Sequence, residues 1–219
     1  MKEQGRSPYT PEERLAILIS REVRDFETGS REYYPFLAGS SDLHFLAQRG
    51  ELDLFFFSGI QNARRGNINL NVIGDYQAPE VRLPGAYGSA MIYYMAHRVI
   101  IFRTEHTRRF LVEKVDFITA PGVTPENVYR EGGPTLLITP KATMSWDRNA
   151  GEWVLTGVNP GSSVEDVREN TGFDLRMAPD LKVTPEPTKQ ELSVLRTTVA
   201  DKLRTIYPDF VEKKILSYK

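Results

Sequence analysis

Four short apolar runs most tightly constrain what this chain can fold into. Leu54-Phe55-Phe56-Phe57 shows no alternation of polar and apolar residues, the pattern of a strand covered on both faces in a parallel sheet. Val99 to Phe102, Val115 to Ile118 and Thr135 to Ile138 read the same way, with Gly or Pro clusters between them. Helical patterns are interleaved with these strands. Thr10-Pro11-Glu12-Glu13 supplies a hydroxyl N-cap, a proline at the first helical position and a glutamate that completes a capping box. Leu15, Leu18, Ile19 and Val23 follow at helical spacing, so residues 11–26 are expected to form an amphipathic helix. Tyr33 to Leu37 reads as a strand, Ser41 to Arg49 as a short helix, Leu52 to Phe57 as the buried strand and Met91 to Ala96 as a helix. The alternation predicts an α/β fold with a mostly parallel sheet flanked by helices.

The later part of the chain adds a β-hairpin and a helix. Asp147-Arg148-Asn149-Ala150-Gly151 is turn chemistry, flanked by Met144, Trp146, Trp153 and Leu155. Ser162 or Ser163 can cap a short helix ending near Asn170, with Gly172 as a left-handed stop. Thr188 and Glu191 form a second capping box ahead of Leu192, Leu195, Val199, Leu203 and Ile206, the stripe of an amphipathic C-terminal helix. Val183 to Pro187, with two prolines, reads as an extended connector.

At 219 residues the chain is expected to form one α/β domain over 1–219, without a second independent core. The absence of cysteine excludes disulfide scaffolds, Cys-ligated zinc, iron–sulfur clusters and thiol nucleophiles. Only His44, His97 and His106 remain as imidazoles, so no metal site is expected. A net charge of −1 gives no electrostatic reason to expect nucleic acid or an anionic membrane as partner. No stretch approaches the ~20 apolar residues of a membrane span, and nothing reads as an export signal. A cytoplasmic setting is the expectation.

Candidate chemistry concentrates between Gly59 and Gly88. Gly59, Gly66, Gly74, Gly85 and Gly88 punctuate short apolar pieces that contain Asn62, Asn67, Asn69, Asn71 and Asp75. Such glycines either let backbone N–H groups approach a phosphate or oxyanion, or simply make turns with local Asn hydrogen bonds. Gly85-Ala86-Tyr87-Gly88-Ser89-Ala90 opens the helix at Met91, but has neither a Walker nor a dinucleotide-binding spacing. His106, Arg108 and Arg109 form a basic cluster between two strands, either a phosphate contact or a solvated or subunit-facing turn; Arg64-Arg65 has the same two readings. His44 and His97 read as packing or capping residues, and Glu27, Glu32 and Glu51 as solvated carboxylates near strand ends.

Three blocks together resemble a known family. Gly66-Asn67-Ile68-Asn69, then Ile73-Gly74-Asp75-Tyr76, Pro79, Arg82 and Pro84-Gly85, is similar to the β (B) subunit of family I CoA-transferases, the glutaconate CoA-transferase branch in particular. Arg108-Arg109-Phe110 leading into Lys114-Val115-Asp116-Phe117-Ile118-Thr119-Ala120-Pro121-Gly122 resembles that family's R-R-F…K-x-D-[YF]-[IV]-T-[SA]-P-G. Ser163-Val164-Glu165-Asp166-Val167, followed by Glu169-Asn170-Thr171-Gly172-Phe173-Asp174-Leu175, resembles its C-terminal block.

The resemblance implies a CoA-transferase-type α/β fold, a homologous α subunit as partner in an α2β2 heterotetramer, an active site between subunits, and acyl-CoA as substrate with no further cofactor. It places Gly85, Gly88, Ser89, Asn67, Asn69, Arg108 and Arg109 in the substrate- and CoA-binding set. Gly66, Gly74 and Asp75 are implied to shape the site, and Asn67 and Asn69 help to hold the same glycine segment. In the family a glutamate of an E-S-G motif attacks the thioester, forming an acyl anhydride and then a glutamyl-CoA thioester, while N–H groups of a G-x-G-G loop hold the oxyanion.

The chain departs from that pattern in three places. Glu-Ser-Gly is absent, Tyr87 stands where the glycine loop has glycine, and Glu105 stands where the family has histidine, with His106 one place late. The first two departures, with Gly88-Ser89 following the larger loop residue, resemble the β subunit of a steroid-ring-opening CoA-ester hydrolase, in which the working glutamate belongs to the α subunit. Three functions are therefore carried forward: CoA transfer between an acyl-CoA and a carboxylic acid, hydrolytic ring opening of an acyl-CoA, and a non-catalytic structural subunit. No catalytic residue is assigned in this chain; Asp75, the best-placed carboxylate, is expected to hydrogen-bond structurally.

Overall fold

The structure, a computed structural model, describes residues 8–23 and 40–217. The strand expected over Tyr33–Leu37, and Glu27 and Glu32, lie outside the described residues. By its contacts the chain divides into two compact units, one of residues 1–23 and 185–219 and one of residues 24–184.

In the larger unit helix α2 (Ser40–Gln48) comes first among the described elements, following α1 (Pro11–Ser20) of the smaller unit in chain order. Then come β1 (Leu54–Phe57), β2 (Gln61–Ala63), β3 (Ile68–Asn69), β4 (Val72–Gly74), β5 (Pro79–Arg82), α3 (Ser89–Met95) and β6 (Arg98–Phe102). Next are β7 (Leu111–Val112), β8 (Pro134–Ile138), β9 (Ala142–Asp147), β10 (Glu152–Val158), α4 (Val164–Glu169) and β11 (Arg176–Val183). The central sheet runs β1-β6-β8-β9-β10-β11. Three of its five neighbour pairs, β1·β6, β6·β8 and β10·β11, are parallel, and β8·β9·β10 is an antiparallel meander. Val99, Ile100 and Ile101 of the second strand are fully buried, as their unbroken apolar run predicts. Leu54 and Phe57 are buried, whereas Phe55 and Phe56 are half-buried.

The hairpin forms where the turn residues place it. Asp147 Oδ1 accepts N–H bonds from Asn149 (3.0 Å) and Ala150 (3.1 Å), so the side chain substitutes for the turn's backbone acceptor. Trp146 and Trp153 face each other across the strands at 5.0 Å in a T-shape, and Trp153 Nε1 donates to buried Asn62 Oδ1 at 2.8 Å. Ser163 caps α4 through the Asp166 N–H.

Two sequence expectations change here. Val115 to Ile118 is not a strand: Val115 is buried, but the Asp116 N–H donates to the Gln61 side chain (2.9 Å) instead of to a neighbouring strand. Gly172 is not a left-handed helix stop, since Asn170 is the C-cap. Its N–H donates to Leu111 O at 2.8 Å, and a Cβ there would collide with that carbonyl.

The smaller unit holds α1, whose capping box is present in full, and α5 (Lys189–Val194), capped by Thr188 and Glu191 in the same way. The helix expected after α5 is broken by a π-helical turn over Leu195–Val199 before α6 (Ala200–Arg204) and α7 (Pro208–Phe210), and a second π turn covers Val211–Ile215. The π turn spaces Leu195 and Ala200 five apart on the buried face, so Val199 and Leu203 are only half-buried; Ile206, beyond the end of α6 at Arg204, is 53% exposed. α1 itself ends at Ser20, short of the expected residue 26, and Val23 is exposed. Among the described residues the buried apolar side chains fall into two clusters, one in each unit, where chain length suggested one core; Tyr9, Ile17, Leu192, Leu195, Ala200, Val211 and Ile215 make the smaller one.

Candidate functional site

The residues of the three sequence blocks are knitted together by side-chain-to-backbone hydrogen bonds. Asn69 is fully buried and saturated: Nδ2 donates to Gln61 Oε1 (2.7 Å) and Val72 O (2.6 Å), and Oδ1 accepts from the N–H groups of Asn71 (2.9 Å) and Val72 (3.3 Å). Gln61 continues to Asp116, whose Oδ2 also accepts the Gly74 N–H at 2.9 Å. Asn67 Oδ1 accepts the Gly122 N–H (3.0 Å), and Ile68 exchanges backbone bonds with Thr119 and Ala120. Thr119 Oγ1 donates to Asn71 Oδ1 and accepts the Leu70 N–H, and Phe117 stacks on Tyr76 at 4.9 Å. The segment 66–76 is thereby fastened to 116–122 along its length.

The third block is tied to the second. Gly172 bonds to Leu111, Arg108 Nε donates to Thr171 O at 3.3 Å, and buried His106 lies between Thr139 Oγ1 (2.7 Å) and Thr171 Oγ1 (3.1 Å). Burial pushes the His106 pKa down to about 4, against the raising effect of Val167 O, so the ring is neutral near pH 7. It therefore does not join a basic cluster with Arg108 and Arg109.

Onto this scaffold the Gly85–Ser89 loop is fastened by Gly85 N–H to Leu70 O (3.2 Å) and Leu83 N–H to Asn71 O (2.9 Å). Gly88 is the N-cap of α3 with φ +84° and offers no side-chain cap. A Cβ on Gly88 would collide with His44 Nε2, so α2 presses its imidazole against the loop. One helical turn further on, Gln48 Nε2 meets Met91 Sδ at 3.5 Å, continuing the α2–α3 contact. Ser89 donates both its N–H (2.9 Å) and Oγ (2.5 Å) to Ala86 O, which closes the loop on itself. Asp75 likewise caps a local turn, accepting the N–H groups of Gln77 and Ala78. Gly66, with φ +69°, makes the β2–β3 turn and gives its carbonyl to the buried Tyr93 hydroxyl at 2.9 Å; a Cβ there would lie 2.9 Å from the Trp146 ring.

At the C-terminal ends of β1 and β6, Arg103 Nη1 donates to Gly59 O (3.0 Å), Nη2 donates to Glu105 (2.9 Å), and the guanidinium lies over the Phe110 ring at 5.4 Å. Burial acts to raise the Glu105 pKa, but hydrogen bonds from Arg103, Arg109 and Thr107 outweigh it and hold the carboxyl below the usual range. Glu105 is thus a fixed anion and a poor proton acceptor. Arg109 is 81% exposed and anchored to that carboxylate at 2.8 Å. Arg108 lines an open cleft of about 510 Å³ with Glu113, Arg168, Thr171, Gly172, Phe173, Asp174 and Leu175, a different place from the Gly85–Ser89 loop. The sequence-predicted set is therefore divided: Gly85, Gly88 and Ser89 form one loop, Asn67, Asn69, Gly66, Gly74 and Asp75 build the frame beneath it, and Arg108 and Arg109 lie on the 105–113 turn. Arg64 is ion-paired with Glu152 at 2.7 Å, Glu51 with Arg49 at 3.0 Å, and His97 lies between Asp53 (3.5 Å) and Glu131 (3.3 Å). The contact of His44 with the loop has no local sequence signal, since the two partners are far apart in the chain.

The coenzyme A transferase family model matches residues 16–170. The chain belongs to the coenzyme A transferase family. The β (B) subunit of a 3-oxoadipate CoA-transferase of Pseudomonas knackmussii is 39% identical over 159 residues, covering 70% of this chain and 61% of that protein. A cholesterol ring-cleaving hydrolase subunit of Rhodococcus jostii is 28% identical over 137 residues, covering 61% of this chain and 54% of that protein. The matched part of the chain thus spans between half and two thirds of the length of these relatives. The crystal structure of glutaconate coenzyme A-transferase from Acidaminococcus fermentans shares the fold, with a TM-score of 0.75 at 22% identity over 86% of this chain and 94% of that one. The mostly parallel sheet flanked by helices is the CoA-transferase-type fold.

Proposed function

We propose that this chain is the β-type subunit of a heteromeric enzyme that acts on an acyl-CoA and moves CoA to or from a carboxylic acid. The observation that carries the reading is the hydrogen-bonded scaffold: residues 66–76, 108–122 and 171–175, remote in sequence, are fastened together, and the Gly85–Ser89 loop is fastened to them. The family match and the named activity of the 39% identical relative support it. The proposed partner is a homologous α subunit in an α2β2 assembly, and the proposed setting is the cytoplasm. Among the described residues no helix is long and apolar enough to cross a membrane.

CoA exchange needs a carboxylate nucleophile at the thioester carbon and donors at its oxygen. Here the loop built on Gly85 and Gly88 is proposed to receive the thioester, with Asn67, Asn69 and Asp75 holding the frame, and Arg108 and Arg109 on CoA phosphates or the partner. The carboxylate is proposed to come from the partner, because the chain has no Glu-Ser-Gly and Glu105 is tied by three donors. No cofactor beyond the CoA thioester itself enters the proposal.

Hydrolysis of an acyl-CoA is the second reading, favoured by the missing Glu-Ser-Gly and by Tyr87 within the loop. A single assay separates the two. The complex with its partner is supplied with an acyl-CoA and a second carboxylic acid, and products are resolved by chromatography. Transfer predicts the CoA thioester of the second acid without accumulation of free CoA. Free CoA or a ring-opened acyl-CoA, with the second acid untouched, would establish hydrolysis instead.

A further inference from the structure

Among the described residues, Tyr87 is the non-glycine residue with positive φ, at +45°. Gly85 and Gly88 beside it are at +91° and +84°, so the loop winds through backbone geometry that glycine adopts without strain and tyrosine does not. The side chain gains nothing visible from the fold for this: it is 83% exposed and belongs to neither hydrophobic cluster. It is nevertheless braced. The His44 ring stands against it at 6.4 Å and 76°, an edge-on aromatic contact, while the same imidazole fills the space beside Gly88. α2 thus presses on the loop at two consecutive residues, holding a tyrosine ring out beside the site at a strained position. Strain kept at a ring that the fold braces on one edge and leaves 83% exposed is characteristic of residues that meet a ligand.

We propose that Tyr87, braced by His44, is a specificity-determining residue for the acyl group, and that the favoured acyl-CoA carries a flat or cyclic apolar group. The inference rests on reading the Gly85–Ser89 loop as the acyl-CoA loop. A ring exposed on one side and supported on another offers a rigid apolar face. A planar or cyclic acyl group covers that face, and an acetyl group is too small to do so. Discrimination of this kind changes the ratio of kcat/KM between two thioesters rather than the chemistry common to both. His44 acts through Tyr87 and is a positioning residue.

The test measures kcat/KM of the complex with its partner for cyclohexanecarbonyl-CoA, benzoyl-CoA and acetyl-CoA. Replacing Tyr87 by Gly is expected to lower the cyclic-to-acetyl ratio about ten-fold, mainly through KM, while Tyr87→Phe keeps the ratio and His44→Ala lowers it by a smaller factor. Tyr87→Asn, which tolerates the left-handed backbone, should lower the ratio as Tyr87→Gly does and covers the case in which the glycine variant fails to assemble. An unchanged ratio in Tyr87→Gly or Tyr87→Asn, whether or not both rates fall together, overturns the proposal and leaves the acyl-CoA reading standing. A wild-type complex that binds none of the three thioesters, nor CoA, overturns the acyl-CoA reading and this proposal with it.

Discussion

At the scale of single residues, buried His106 lies between the Thr139 and Thr171 hydroxyls. His106 is neutral in the folded chain, its pKa lowered to about 4 by burial, and it ionises near 6.5 once unfolded. The unfolded state therefore binds more protons between those values, and stability falls as pH drops from about 6.5 towards 4. Urea midpoints measured at pH 7, 5 and 4 should show this loss, and His106→Asn should flatten it. Gly172→Ala is expected to cost about 2–3 kcal/mol, because the new methyl meets the Leu111 carbonyl where Gly172 bonds to it; the same midpoints read it. Sequence placed His106 in a basic cluster and Gly172 at a helix stop because both assignments use near neighbours. Their actual partners, Thr139, Thr171 and Leu111, are tens of residues away.

At the scale of elements, what depends on adjacent residues was legible. Both capping boxes, the Asp147–Gly151 turn and the Ser163 cap are local, and each forms as read. Thr10→Ala and Thr188→Ala should each cost about 1 kcal/mol, seen as a small fall in Tm. The Val115–Ile118 run misled because its apolar content marks neither burial nor a strand: Val115 is buried but Ile118 is exposed, and the Gln61 side chain takes the place of a backbone partner. The C-terminal stripe misled for a different reason. A π turn inserts one residue and brings Ala200 to the core, and the helix then ends at Arg204, leaving Ile206 exposed in the turn that follows. Ala200→Leu is therefore expected to destabilise by about 1–3 kcal/mol, and Ile206→Ser to stay within about 0.5 kcal/mol. An uninterrupted α-helix over the same residues would bury Ile206 instead.

At the scale of the molecule, the α/β class followed from four unalternating runs, and three of them are sheet strands. The motif blocks were legible as a family pattern, but their purpose was not: only the structure shows that Asn67, Asp116 and Thr119 fasten one block to another, while Asn69 braces the first block from within. The chain length suggested one core, and the described residues show two hydrophobic clusters. The proposed transfer needs a carboxylate nucleophile, and it is proposed to come from the partner because the chain has no Glu-Ser-Gly and Glu105 is held by Arg103 and Arg109. The proposed chemistry therefore requires a second subunit. The most direct measurement is acyl-CoA consumption by this chain alone, by its α-type partner alone and by the two mixed. Activity that appears only on mixing, and co-elutes with a complex of both chains, is the predicted result; full activity from this chain by itself would contradict it.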